Sequence, residues 1–251
     1  MTRLPIKIAW SFFLLCHLYP PDIQAQPAVK DSLSGNSGYG DALRLYHDWL
    51  APEPNLYRGP EYVAYDHLLR EGHPYYGDNS RYKGAVWYNG IFYDNLLLQY
   101  DLVKDQLVIN DPTYNIFRIG LITTLIDSFS LGTHFFLHLA DDRNPTAPRN
   151  GFYERLYNGR IVLLKREKKV IEKDLYSSDH VEQFIRDTDS SYYLQIGNLY
   201  RSVNNIRSLL DVLKDRKKEV RKFIRSSHLS MRKDRENTLI KVTAWYDSSA
   251  H

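Results

Sequence analysis

The chain has 251 residues, 43% hydrophobic and 25% charged, with a formal net charge of +3. That length suits one large domain, or one domain with an appendage, and the composition is ordinary for a globular protein. Cys16 is the only cysteine, so the chain beyond it can hold no disulfide, thiolate nucleophile or cysteine metal site.

Residues 1–25 read as a signal peptide. Arg3 and Lys7 make the start positive, and Ile8–Leu18 is an apolar run too short to span a bilayer as a helix. Pro20 and Pro21 break the run, and Ala25 closes a small-residue cleavage pattern before Gln26. Leu15 precedes Cys16 where a lipidated cysteine needs a small residue, which argues against a lipoprotein. No later stretch reaches 18 consecutive apolar residues, so no transmembrane span is expected in the mature chain. The expected location is therefore periplasmic or extracellular.

Residues 26–40 are polar, hold Gly35 and Gly38, and read as a flexible lead-in. Residues 41–50 read as a short helix capped by Asp41, stopped by Pro52 and Pro54. The body, 41–200 including that helix, then carries mainly β signals. Twenty tyrosines favour half-buried pleated faces. Asn89-Gly90 and Asn158-Gly159 sit between apolar runs and predict two-residue type I′ hairpins. Gly197-Asn198 predicts a third hairpin, and a fourth turns near Lys104-Asp105. Asp141–Gly151 is a loop by composition.

Residues 201–251 change character. Ile206, Leu209, Leu210, Leu213, Val220 and Ile224 share one helical face, capped by Ser208 or Asn205. A second helix is predicted over 232–246 with Ser230 as its cap and Leu239, Ile240, Thr243 and Tyr246 on its packed face. This tail holds 13 Lys+Arg against 6 Asp+Glu, net +7, whereas residues 27–200 carry net −5. Arg216, Lys217, Lys218, Arg221, Lys222 and Arg225 form a basic stripe. It suits either docking on the body or an anionic partner. In an exported protein, a lipid head group or an acidic protein is a better partner than nucleic acid.

Motifs of strong chemistry are missing. "GNSGYG" at 35–40 fails both the nucleophile elbow and the dinucleotide fingerprint, because Tyr39 and Leu43 stand where glycines belong. "DTDSSYY" fails as a calcium loop, because Tyr192 replaces its glycine and Asn198 its final glutamate. Glu61, Asp66, Glu71, Asp94 and Asp101 are carboxylates of the right type for hydrolysis, but no spacing singles out two. Asp66-His67 and Glu71-Gly72-His73 form a denser acid/His cluster that suits a general base or, more simply, a turn beside a strand.

"LGTHFFLHLADD", 131–142, sets His134 and His138 four apart. On a helix they would share a face as zinc ligands do. As a strand, Leu131, Thr133, Phe135, Leu137 and Leu139 make an apolar core face, and Gly132, His134, Phe136 and His138 take the other. The strand reading is preferred, and no third ligand is identified.

Several stretches together resemble a group of secreted, β-rich proteins of Gram-negative bacteria with a basic helical C-terminus. These are Trp87-Tyr88-Asn89-Gly90, "YDLVKDQLVI" at 100–109, "GFYERLYNG" at 151–159, "LLDVLKDRKKEVRKFIR" at 209–225 and "RKDRE" at 232–236. The group has no established activity, so the resemblance implies an envelope location and a β body with a basic helical tail, and assigns no functional residues.

The expectation is an α+β fold: an antiparallel β-meander, barrel-like or wrapped, with a C-terminal helical hairpin packed on it. The expected function is a non-enzymatic binding or structural module whose partner is an envelope protein, glycan or lipid. No catalytic residue, metal or cofactor is assigned. A secreted hydrolase using the cluster at 61–73, or a carrier of an apolar ligand, are the alternatives.

Overall fold

The structure, a computed structural model, describes residues 55–65, 69–110, 117–140, 146–177 and 180–249. The expected signal peptide, lead-in and helix at 41–50, together with Asp66, His67 and the first half of the loop at 141–151, lie outside the described residues.

Thirteen strands are described: β1 (Leu69–Glu71), β2 (Tyr82–Tyr88), β3 (Ile91–Asp101), β4 (Gln106–Asn110), β5 (Arg118–Gly120), β6 (Ile126–Leu131), β7 (His134–Leu139), β8 (Gly151–Asn158), β9 (Ile161–Arg166), β10 (Lys169–Ser177), β11 (His180–Asp187), β12 (Ser191–Ile196) and β13 (Leu199–Ser202). Ten form one antiparallel sheet in the order β13-β12-β9-β8-β7-β6-β2-β3-β4-β5. The end strands do not pair, so the wrapped-sheet form of the expected fold is found rather than a closed barrel. A separate sheet, β1-β11-β10, includes one parallel pair, β1 with β11, where only antiparallel pairing was expected.

The large sheet is strongly curled. Tyr100 on β3 and Phe152 on β8 lie four strand spacings apart, roughly 19 Å if the sheet were flat. Their ring centroids are 5.7 Å apart. Tyr100, Phe129, Phe136 and Phe152 fill the inside of the curl edge to face, with Phe129 stacked on Phe136 at 4.7 Å. One end of the curl is pinned by Arg166 on β9. It donates to Asp105 Oδ2 at 2.8 Å and to the Tyr153 hydroxyl at 2.9 Å. The carbonyls of Arg149 and Asn150 accept from its two terminal nitrogens as well, while its buried Nε–H has no partner among the described residues. Tyr100 donates to the other Asp105 oxygen at 2.6 Å, so the β3–β4 turn is locked to β9.

Two hairpins form as the turn residues predict. Asn89 and Gly90 take φ of 51° and 75° between the paired Tyr88 and Ile91, as a type I′ turn requires. Gly197, φ 58°, turns between the paired Ile196 and Leu199. The fourth turn, 102–105, is held by Asp101, whose Oδ1 accepts from the N–H groups of Val103 and Lys104. The turn at Asn158-Gly159 differs. Asn158 stays in β8 opposite Val162, neither residue takes positive φ, and a bulge at Arg155/Tyr157 shifts the register.

The tail contains three helices rather than two: α1 (Ile206–Val212), α2 (Lys217–Ser226) and α3 (Arg235–Ser248). Asn205 caps α1 in a reciprocal box with Ser208. A 3-10 turn at Lys214–Arg216 interrupts the expected first helix. There Arg216 folds over the Trp245 ring at 5.0 Å and Asp215 accepts from the Tyr246 hydroxyl at 2.8 Å. The cap of α3 is Asp234, accepting from Asn237 N–H at 3.1 Å, and not Ser230, whose carbonyl instead closes the preceding turn. The packed face of α3 also shifts: Thr238, Leu239, Val242 and Thr243 are buried, while Ile240 and Tyr246 are half-buried. Leu209, Leu210, Leu213, Val220, Leu239 and Val242 cover Leu163, Tyr192 and Leu194 of the sheet. Asp247 fastens this cover, accepting from Tyr157 at 2.9 Å and from Arg160 Nε at 3.1 Å.

Candidate functional site

The run 131–142 crosses a hairpin rather than forming one strand. Gly132 and Thr133 make a two-residue turn, with Gly132 at φ 56°, so Leu131 and His134 become cross-strand partners. Cross-strand partners share a face, and Leu131 is fully buried. The even positions therefore point inward, and the expected core face is reversed. Phe136 is buried, whereas Phe135, Leu137 and Leu139 are only half-buried on the outer side. Arg155 lies over the outer Phe135 ring at 4.1 Å.

His134 and His138 share the inner face, yet at strand pitch they stand about 13 Å apart, far beyond the span of one metal ion. Each has its own partner. His138 Nε2 meets Asn150 Oδ1 at 2.9 Å. His134 Nδ1 meets Glu154 Oε1 at 2.6 Å and lies 2.9 Å from the Tyr76 hydroxyl. Among the described residues, no three His, Cys, Asp or Glu side chains converge as metal ligands.

Around Glu154 lies a polar seam between the aromatic core and the helix-covered core. Lys165 sits opposite Glu154 on β9, with Nζ 4.0 Å from Glu154 Oε2 and 2.9 Å from both Glu167 and Glu236. The Glu154 and Lys165 side chains are 7% and 13% exposed. Burial works against the Lys165 charge, but its hydrogen bonds to Glu236 and Glu167 outweigh that and hold the ammonium well above its ordinary range. Burial, with the Glu154 charge, pushes the Tyr76 hydroxyl far up. His134 thus engages Glu154 and Tyr76 through Nδ1, and no bond from a described hydroxyl or thiol to its Nε2 is found. A histidine beside a carboxylate is half of a proton relay, and the contacts of His134 with Glu154 and Tyr76 also tie β7 to β8 and to the aromatic core.

The described acid/His positions at 61–73, Glu61, Glu71 and His73, lie on separate elements. Glu61 is exposed beside Ile119 of β5. Glu71 pairs with Arg186 at 3.4 Å in the small sheet. The His73 ring is half-buried and its pKa is lowered, chiefly by that burial. Asp94 is exposed on β3. Asp101 is fully buried and saturated: Tyr62 and Tyr65 each donate to Oδ2 at 2.7 Å, and two backbone N–H groups occupy Oδ1.

The basic stripe divides. Arg216 is drawn inward over Trp245 and bonds Glu219, and Lys217 pairs with Asp211 at 3.4 Å. Lys218, Arg221, Lys222 and Arg225 stay exposed at i, i+3, i+4 and i+7 of α2, on one helical face, and no described carboxylate pairs with them. Beneath them Val220 is buried and Phe223 stacks on Trp245 at 4.8 Å, so the face is carried on a fixed helix. Beside it, Arg207 and Arg225 border a groove whose floor is Ile206, Leu210 and Ile224.

Sequence reasoning located this stripe and missed the seam. No family model, curated protein or solved structure matches the chain, so the geometry alone speaks for its function.

Proposed function

We propose that the protein is an exported, non-enzymatic binding module of the bacterial envelope that presents its helical tail to an anionic partner. The carrying observation is the α2 face, where Lys218, Arg221, Lys222 and Arg225 point outward from a helix fixed by Val220 and Phe223. The signal-like residues 1–25 and the resemblance to secreted Gram-negative proteins support the location. Among the described carboxylates of that set, Glu71 is spent on Arg186 and Asp101 on Tyr62 and Tyr65, which weighs against a hydrolase built on them. The aromatic side chains filling the curl occupy the space that an apolar cargo would need.

A photo-crosslinking residue at Lys222, activated in cells, tests the reading. The expected result is one recurrent envelope component, lost when the crosslinker is moved to the far side of the sheet at Asp94. Recovery of abundant proteins alone, the same from both positions, would sink it.

A further inference from the structure

We infer that the α2 face is a docking surface for an anionic lipid bilayer, with α2 lying along the membrane plane. This rests on the binding-module reading and names its partner.

Three observations carry the choice. First, Lys218, Arg221, Lys222 and Arg225 make a row along a ten-residue helix, without a buried donor or a closed pocket among them. A discrete phosphate needs converging donors, whereas a charged plane needs only a row of cations that reach it. Second, apolar side chains border the row. Ile206 is 41% exposed and the half-buried Ile224 lines the adjacent groove, so the face offers hydrocarbon next to charge, as interfacial helices do. A soluble acidic glycan would gain nothing from them. Third, the charge is polarised. Residues 201–251 carry net +7 and residues 27–200 net −5, so an anionic plane attracts the tail and repels the body. That arrangement orients the whole molecule on a surface. Asp211 at the groove and Glu219 on the flank of α2 are the acidic exceptions, and each pairs with a neighbouring cation, Lys217 and Arg216.

The test is co-sedimentation of the full chain with vesicles of phosphatidylcholine alone, and with vesicles holding phosphatidylglycerol at about one part in three. Binding is expected only to the anionic vesicles, falling steeply with added salt. Neutralising Arg221 and Lys222 together (R221Q/K222Q) should weaken it roughly 25-fold, about fivefold per cation. Arg225→Gln alone should give about fivefold, and Ile206→Asp a further clear loss. Lys241→Gln, an exposed cation on α3, should leave binding unchanged. All these positions are exposed, and a matching thermal melt establishes that each variant is folded. Equal binding to both vesicle types, no binding to either, or indifference to R221Q/K222Q would overturn the inference. Soluble polyglutamate separates the two readings. Capture of polyglutamate through Arg221 and Lys222 without vesicle binding rejects the bilayer and keeps the binding module. Failure with both removes both.

Discussion

Lys165 shows what a buried cation requires. Three carboxylates surround its ammonium, and only that compensation makes its burial tolerable. Lys165→Met would leave Glu154, buried and negative, facing Glu236 and Glu167 with no cation between them. We expect a loss of about 3 kcal/mol, read as a lower urea midpoint at unchanged slope. A variant as stable as the parent would show that the seam contributes nothing. The tyrosines give a second, pH-dependent test. Burial first, then hydrogen bonding to Tyr75 and Asp101 for Tyr62 and to Asp101 for Tyr65, raises both far above the ordinary phenol range, and burial and Asp215 push Tyr246 up to about 12. The unfolded chain ionises near pH ~10. The stabilisation is therefore intact below that pH and is lost as pH rises through the folded-state values, because proton loss favours the unfolded chain. Absorbance near the tyrosinate band should show an early exposed fraction, then a late step coincident with loss of circular dichroism. One smooth titration with the fold intact would contradict this. Of the seam only His134 stood out in the sequence, and there as a possible metal ligand; Glu154, Lys165, Glu167 and Glu236 did not. Their types are common, and their meeting depends on register.

At the scale of elements, register explains which predictions succeeded. Asn89-Gly90 occupies the two central positions of its turn, so the rest of the β2–β3 hairpin follows up to the irregularity beside Gly84. Asn158-Gly159 carries the same dipeptide, but a two-residue turn there would set Glu154 opposite Leu163. The observed turn is wider and sets it opposite Lys165, with Asp247 packed where a Gly159 side chain would stand. The wider turn accommodates a contact from a helix about ninety residues away, and no local pattern encodes that. The interruption at Lys214–Arg216 was unreadable for a similar reason: no proline or glycine marks it, and its partners are Trp245 and Tyr246. Two glycines separate the local from the non-local effect. Gly90→Ala strains a φ of 75° in open space and should cost about 1 kcal/mol. Gly84→Ala has ordinary φ, but its Cβ would stand 1.9 Å from the Ser130 carbonyl on β6. It should cost about 3 kcal/mol as the strands separate. Chemical denaturation of both variants tests the order; Gly90→Ala as the worse would reverse the argument.

At the largest scale, the tail helices and the large sheet share one apolar core. Leu163, Tyr192 and Leu194 are buried under α1, α2 and α3. A chain ending at Asn204 would expose that apolar face beside the short edge strand β13. We expect such a chain to be recovered aggregated, judged by soluble yield and gel filtration. A monomeric product with native circular dichroism would show that the tail is an accessory. The α+β class, the hairpin-rich body and the basic helical end were readable from periodicity and turn residues. The curl of the sheet was not, because it depends on Tyr100 reaching Phe152 and on Arg166 reaching Asp105 across distant segments.

The strand order also gives the sheet a growth history. β2, the earliest of its strands, ends up inside it, with β3, β4 and β5 laid down on one flank and β6, β7, β8, β9, β12 and β13 on the other. A chain emerging N-terminus first can therefore accrete outward from a seed, each new strand finding a template already waiting. Only β6, which must travel back past three strands to reach β2, and β12, which skips the β10–β11 excursion, join by long-range closure. The nascent sheet thus always has a growing edge, and growth ends on β5, whose outer side is already bonded by Pro60 and Tyr62, and on β13, only four residues long, so little edge is left to recruit a strand from another molecule.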